Sequence, residues 1–137
     1  MRIERTNDIS EVLKCLPLER ETAKKKRERT KESHMLIFVQ SQLNNPLFGF
    51  WIAYNDQDNI IGYVAAFIGL IPGLERLHLL RIYAKSKELF NQFEEILKEW
   101  ANQFKVKTAQ ITVIKNVKAI QRKHQFVPVS INMERRY

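Results

Sequence analysis

Lys85, Ser86 and Lys87 stand between an alternating apolar run, "ERLHLLRIYA", and a helical pattern that begins at Leu89. Strand, short polar turn and helix N-terminus is an arrangement that collects phosphate. The first-turn N–H groups lack partners there, and the helix dipole favours an anion. Two lysines add charge, but the turn holds no glycine, and Glu88 and Phe90 stand where the helix starts. Glu75 and His78 precede this turn and are candidates for proton transfer; an imidazole titrates in the useful range. No two histidines have metal-ligand spacing. Cys15 lies in an apolar stretch and reads as a buried thiol.

The chain has 137 residues and reads as one domain, 1–137, with no internal repeat. Hydrophobic residues make up 45% and charged residues 28%, which excludes a disordered chain. The net charge of +8 favours anionic partners: an anionic ligand such as a nucleotide cofactor, an acidic protein, or nucleic acid. Nucleic acid stays open on charge alone, with no recognition motif to support it. Much of the charge sits in "ERETAKKKRERTKES", which has no aromatic residue for stacking on bases. One cysteine excludes an internal disulfide. The opening "MRIERTNDIS" is polar and the run "YVAAFIGLI" is too short to cross a bilayer, so a soluble, cytoplasmic protein without membrane contact is expected.

These residues need elements to hold them. "MRIER" alternates as a strand. "NDISEVLKCL" reads as a helix opened by Asp8 and Glu11 at capping-box spacing. "SHMLIFVQSQLNN" is a second helix, stopped by Asn44, Asn45 and Pro46. "LFGFWIAYN" and "NIIGYVAAFIGL" form a hairpin about "DQD". In "ERLHLLRIYA" strict alternation puts Arg76, His78, Leu80 and Ile82 on one face and Leu77, Leu79, Arg81 and Tyr83 on the other. The next helix carries Leu89, Phe90, Phe93, Ile96, Leu97, Trp100, Ala101 and Phe104 on an apolar stripe. Phe90 reads as core, in register with Phe93 and Leu97. "AQITVIK" is a strand, "NVKAIQRKHQF" a short basic helix and "VPVSINMERRY" a closing strand. The predicted class is α+β: a mixed, mostly antiparallel sheet flanked by helices, in the order β-α-α-β-β-β-α-β-α-β.

This order, with its local residues, resembles the GNAT superfamily of N-acetyltransferases. The resemblance runs over nearly the whole chain. "FWIAYNDQDNIIGYVAAFI" is similar to the family hairpin, with Ala53 before the turn and "IIG" ending at Gly62 after it. "EILKEWANQFKVKTAQITVIKN" resembles the central helix, the next strand and the asparagine after it, Asn116. "HQFVPVSINMERRY" resembles the closing stretch. The resemblance implies acetyl-CoA as cofactor, its pantetheine on backbone N–H groups of Ile82, Tyr83 and Ala84. Its pyrophosphate would sit at Lys85, Ser86 and Lys87. The family's turn is patterned R/Q-x-x-G-x-G/A. Here Glu88 replaces the first glycine and Phe90 the small residue. The family's tyrosine acid falls on Gln121 or Lys123.

Two readings stand. In the first, the chain transfers acetyl from acetyl-CoA to an amine, with an atypical cofactor turn. Lys115, Lys118 and Arg122 would then add charge for the cofactor phosphates. In the second it binds no cofactor and is a GNAT-like binding, assembly or structural module with a basic contact surface. Such a module would be virion-associated if phage-derived, and would contact a protein partner or form a homo-oligomer.

Overall fold

A computed structural model describes residues 1–18 and 32–111 of the chain. Strand β1 is Arg2–Arg5, helix α1 Ile9–Leu13, helix α2 Glu32–Gln42 and strand β2 Phe48–Tyr54. Strands β3 and β4 are Ile60–Gly69 and Arg76–Ala84; helix α3 is Lys87–Gln103 and strand β5 Ala109–Ile111. The sheet order is β1-β2-β3-β4-β5. All neighbours are antiparallel except β4 and β5, which are parallel and joined through α3. This mixed α+β sheet with flanking helices matches the first eight elements expected from the sequence. The basic segment at 24–31, the helix "NVKAIQRKHQF" and the strand "VPVSINMERRY" lie outside the described residues.

Each face of the sheet is covered, and β2 shows why. All seven of its residues are buried. Trp51 and Ala53 face α3, whereas Phe48, Phe50, Ile52 and Tyr54 face α1 and α2. An apolar strand without polar positions needs cover on both sides. On the α3 side, Leu89, Phe93, Leu97, Trp100 and Ala101 pack on Val64, Ala66 and Leu77. Arg5 fastens β1 to this core. Its guanidinium donates to the Phe48 carbonyl at 2.7 Å and lies about equally far from the rings of Trp51 and Trp100, at 5.5 and 5.4 Å. Burial lowers its pKa from the usual guanidinium value.

The opposite face is tied down by α1. Asp8 is its N-cap and accepts the Ser10 N–H at 2.9 Å. The reciprocal half of the expected capping box is absent: Asp8 donates its own N–H to Thr6 Oγ1, and Glu11 bonds Lys14 and Tyr54 instead. Burial, and then the Glu11 hydrogen bond, push the Tyr54 hydroxyl up to about 12. Cys15 is buried in this second core.

Gly62 lets α3 sit on the sheet. A Cβ there would meet the Tyr83 carbonyl oxygen at 2.5 Å and the Leu89 side chain at 2.7 Å. A backbone oxygen cannot yield without moving β4. Gly62→Ala is therefore expected to destabilise the fold by about 1–3 kcal/mol, read as a lower urea midpoint. An unchanged midpoint would show that α3 is not seated this closely.

Candidate functional site

Strand β4 is irregular at its middle. Ala65 pairs with Arg81 and Ala66 with Leu79, so Leu80 is left over as a bulge. Two hydrogen bonds show the consequence. Leu77 donates its N–H to Thr108 O at 2.9 Å, toward β5. Lys85, eight residues on, donates to Ile61 O at 3.3 Å, toward β3. In a regular strand residues eight apart point the same way; the extra residue reverses them. Alternation back from Lys85 sends the N–H groups of Tyr83 and Arg81 toward β3. Those of Ile82 and Ala84 point to the other edge. Among the described residues β5 pairs with β4 only over Leu77–Leu79, and no described residue pairs with that edge beside Ile82 and Ala84.

The bulge also changes the faces expected from strict alternation. Leu77 and Leu79 pack toward α3 as predicted together, but Ile82 and Ala84 join them there. Tyr83 lies on the opposite face with Tyr63, their rings stacked 6.3 Å apart. A groove of about 350 Å³ runs along the α3 side of β4 and is lined by Leu79, Ile82, Phe90, Leu97 and Val106. Lys98, Lys107 and Glu94 add its charged lining.

Ser86 caps α3, its hydroxyl accepting the Leu89 N–H at 3.1 Å while its carbonyl takes the Phe90 N–H at 3.1 Å. Among the described residues no acceptor takes the N–H of Lys87 or Glu88, and both lysine side chains, of Lys85 and Lys87, are exposed. Phe90 is not a core residue as its spacing suggested. It is half-buried in the groove wall, while Leu89 takes the buried position. Glu88 turns to the other side of α3, beside Ile3, Asn91 and Gln92. It leaves the groove, which Phe90 narrows instead.

The proton-transfer candidates lie apart from this turn. Glu75 is exposed and accepts the Gly73 N–H at 3.1 Å, which fixes the β3–β4 turn. That turn is at the far end of β4, about 30 Å of strand from Lys85. His78 stacks on Phe67 at 4.5 Å, on the sheet face away from α3. Asn116 and Lys123 lie outside the described residues, as do Lys115, Lys118 and Arg122. Sequence reasoning missed a second hollow, of about 410 Å³, between α2 and the sheet. His34 and Phe38 of α2, Phe50 and Tyr63 of the sheet, and Leu80 and Arg81 of the bulge line it. The bulge is thus a wall shared by a groove on one face and a hollow on the other.

No family model and no curated protein sequence matches the chain. Solved structures do match it in fold. An aminoglycoside antibiotic 6'-N-acetyltransferase from Acinetobacter baumannii is 15% identical, with a TM-score of 0.74 over 99% of this chain and 97% of that one. A predicted acetyltransferase from Clostridium acetobutylicum, crystallised with acetyl-CoA, is 12% identical, with a TM-score of 0.74 over 98% and 95%. A ribosomal-protein-alanine N-acetyltransferase from Brucella melitensis biovar Abortus 2308 is 14% identical, with a TM-score of 0.67 over 98% and 99%. The fold is that of the GNAT acetyltransferases the sequence resembles.

Burial, and then the Arg76 charge, lower the His78 pKa below 6.5. A base whose folded pKa is depressed binds fewer protons folded than unfolded, so stability falls as pH drops below the unfolded value. His78 is expected to titrate below pH 6.5 by NMR, and His78→Gln to flatten the loss of stability on acidification. Titration above 6.5 would contradict this placement.

Proposed function

We propose that the chain binds acetyl-CoA along the edge of β4 on the β5 side and transfers its acetyl group to an amine. The observation that carries this reading is the Leu80 bulge, which aims the N–H groups of Ile82 and Ala84 at the edge beside the groove. Those donors suit the amide carbonyls of a pantetheine arm, as two of the three residues expected from the resemblance; Tyr83 points its N–H toward β3 instead. At the turn, the N–H groups of Lys87 and Glu88, which no described acceptor takes, and the charges of Lys85 and Lys87 suit phosphate. Ser86 contributes by holding the helix start in place through its cap. Glu88, turned to the far side of α3, leaves the phosphate position free of its carboxylate.

Acetyl-CoA supplies the activated thioester. The chain's part is to hold the thioester still and bring an amine against it, so proximity and orientation are the main source of rate. The hollow on the α2 face opens on the other side of the same bulge and suits the acceptor. Deprotonation of the amine falls to solvent, to His34 of that hollow or to His78, which lies on the same sheet face.

A second reading rests on Phe90. Its ring lines the groove where the family pattern has a small residue. In that reading the chain is a silent binding module, and the groove is a closed version of a cofactor site.

Calorimetry with acetyl-CoA separates the two. Binding with a Kd of about 100 µM, or ~5.5 kcal/mol, is expected, weaker than a glycine-built turn gives. The double variant Lys85→Ala/Lys87→Ala is expected to raise Kd about fivefold at low salt, an effect that shrinks as salt is added. Phe90→Ala is expected to lower Kd by widening the groove. Absence of binding at millimolar acetyl-CoA, in both the native chain and Phe90→Ala, would overturn the transfer reading.

A further inference from the structure

We infer that the chain associates with itself head to tail: the apolar tip of the β3–β4 hairpin of one copy enters a recess between β1 and α3 of the next. This goes beyond the acetyl-transfer reading and does not depend on it.

The tip is an apolar knob held in one shape. Leu70, Ile71 and Leu74 are 44, 65 and 55% exposed. Single exposed apolar residues are ordinary, but three on one tight turn form a patch that marks a contact. The turn fixes how they stand. Pro72 is its second residue and Gly73, at φ 81°, its third; the Leu74 N–H closes it on the Ile71 carbonyl at 2.8 Å. Glu75 folds its carboxylate back onto the Gly73 N–H. A knob shaped in advance loses little freedom when it is buried. Cations border it. Arg76 opens β4, and Lys107 adjoins Thr108, whose carbonyl takes the Leu77 N–H.

The recess offers the complement. It has a volume of about 410 Å³ and is lined by Ile3 of β1 and by Glu88, Asn91, Gln92, Glu95 and Ile96 of α3. Ile3 and Ile96 are half-buried and pack on the α3-side core, so they make an apolar floor. Glu88 and Glu95 are exposed and are the charged groups of the described lining. Glu95 also pairs with Lys98 at 3.6 Å, an exposed contact worth little and easily exchanged. Glu88, turned away from the phosphate turn, thus becomes part of a second surface.

An apolar tip on an apolar floor, with cations facing carboxylates, favours this pairing over its rivals. Two tips brought together would set Arg76 and Lys107 of one copy against the same residues of the other. Nor can a copy fill its own recess. Helix α3 runs back along β4, so Glu88 lies at the Lys85 end of that strand and the tip at the opposite end. The contact therefore joins different parts of two copies, and such a contact repeats along a filament or closes a ring. The tip and its rim bury less than a standard interface of about 1,600 Å². Association is therefore weak and shows at high protein concentration.

Sedimentation velocity of the full chain over a range of concentrations is the test. The weight-average mass is expected to rise with concentration, and the rise to shrink as salt is added. Ile71→Ser/Leu74→Ser spoils the tip, and Gln92→Lys/Glu95→Lys spoils the recess. Each double variant is expected to weaken association at least about tenfold. Each also keeps one intact half, so an equimolar mixture of the two is expected to form pairs and nothing larger. A native chain that stays monomeric would overturn the inference, whether or not its tip then binds vesicles of phosphatidylcholine and phosphatidylserine. So would undiminished association of either variant. For variants that keep the native circular-dichroism spectrum, a mixture that does not pair would overturn it too.

Discussion

One extra residue in β4 governs the candidate site. With Leu80 inserted, the strand keeps its pairing to β3 on both sides of the bulge but exchanges its faces and its hydrogen-bonding edges. Before it, Leu77 points its N–H at the residue ahead of β5; after it, Lys85 points at β3. The same shift carries Ile82 and Ala84 to the α3 side and Arg81 to the α2 side. A regular β4 would send the N–H groups of Arg81, Tyr83 and Lys85 to the edge on the β5 side. It would also turn the Ile82 side chain toward α2. The groove, the hollow and the donors between them all depend on that single irregularity.

The helix that follows is held hard against this strand. Gly62 admits Leu89 and Phe93, and Ser86 caps the first turn. Ser86 therefore has a structural task in addition to any contact with a ligand. The rotation of α3 that seats Leu89 leaves Phe90 at the rim of the buried stripe and sends Glu88 to the far side. Glu88 and Phe90, adjacent to Leu89 on either side, are thus placed unequally. The glutamate is moved out of the way, and the phenylalanine is not.

Much of the architecture was legible in the sequence because it rests on local patterns. The α3 stripe, the hairpin about Asp56 to Asp58 and the buried run of β2 follow from periodicity and turn chemistry. The bulge was not legible. "RLHLLRIYA" alternates acceptably in either phase, and only pairing with a strand distant in sequence fixes where the extra residue falls. Phe90 failed for a related reason. Its helical spacing fits the apolar stripe, but which edge of a wide stripe meets the sheet is set by where Gly62 allows contact. Arg81 and His34 carried no signal, since a lone cation on a strand or helix reads as surface until a hollow is seen beside it. The capping box at Asp8 and Glu11 was half right; Tyr54, far along the chain, draws the Glu11 carboxylate away.

Amide hydrogen exchange along β4 tests the role of the bulge most directly. The N–H groups of Ile82 and Ala84 should exchange faster than those of Arg81, Tyr83 and Lys85, and should become protected when acetyl-CoA is added. Uniform protection across residues 81–85 without ligand, or no change at Ile82 and Ala84 with it, would contradict the account.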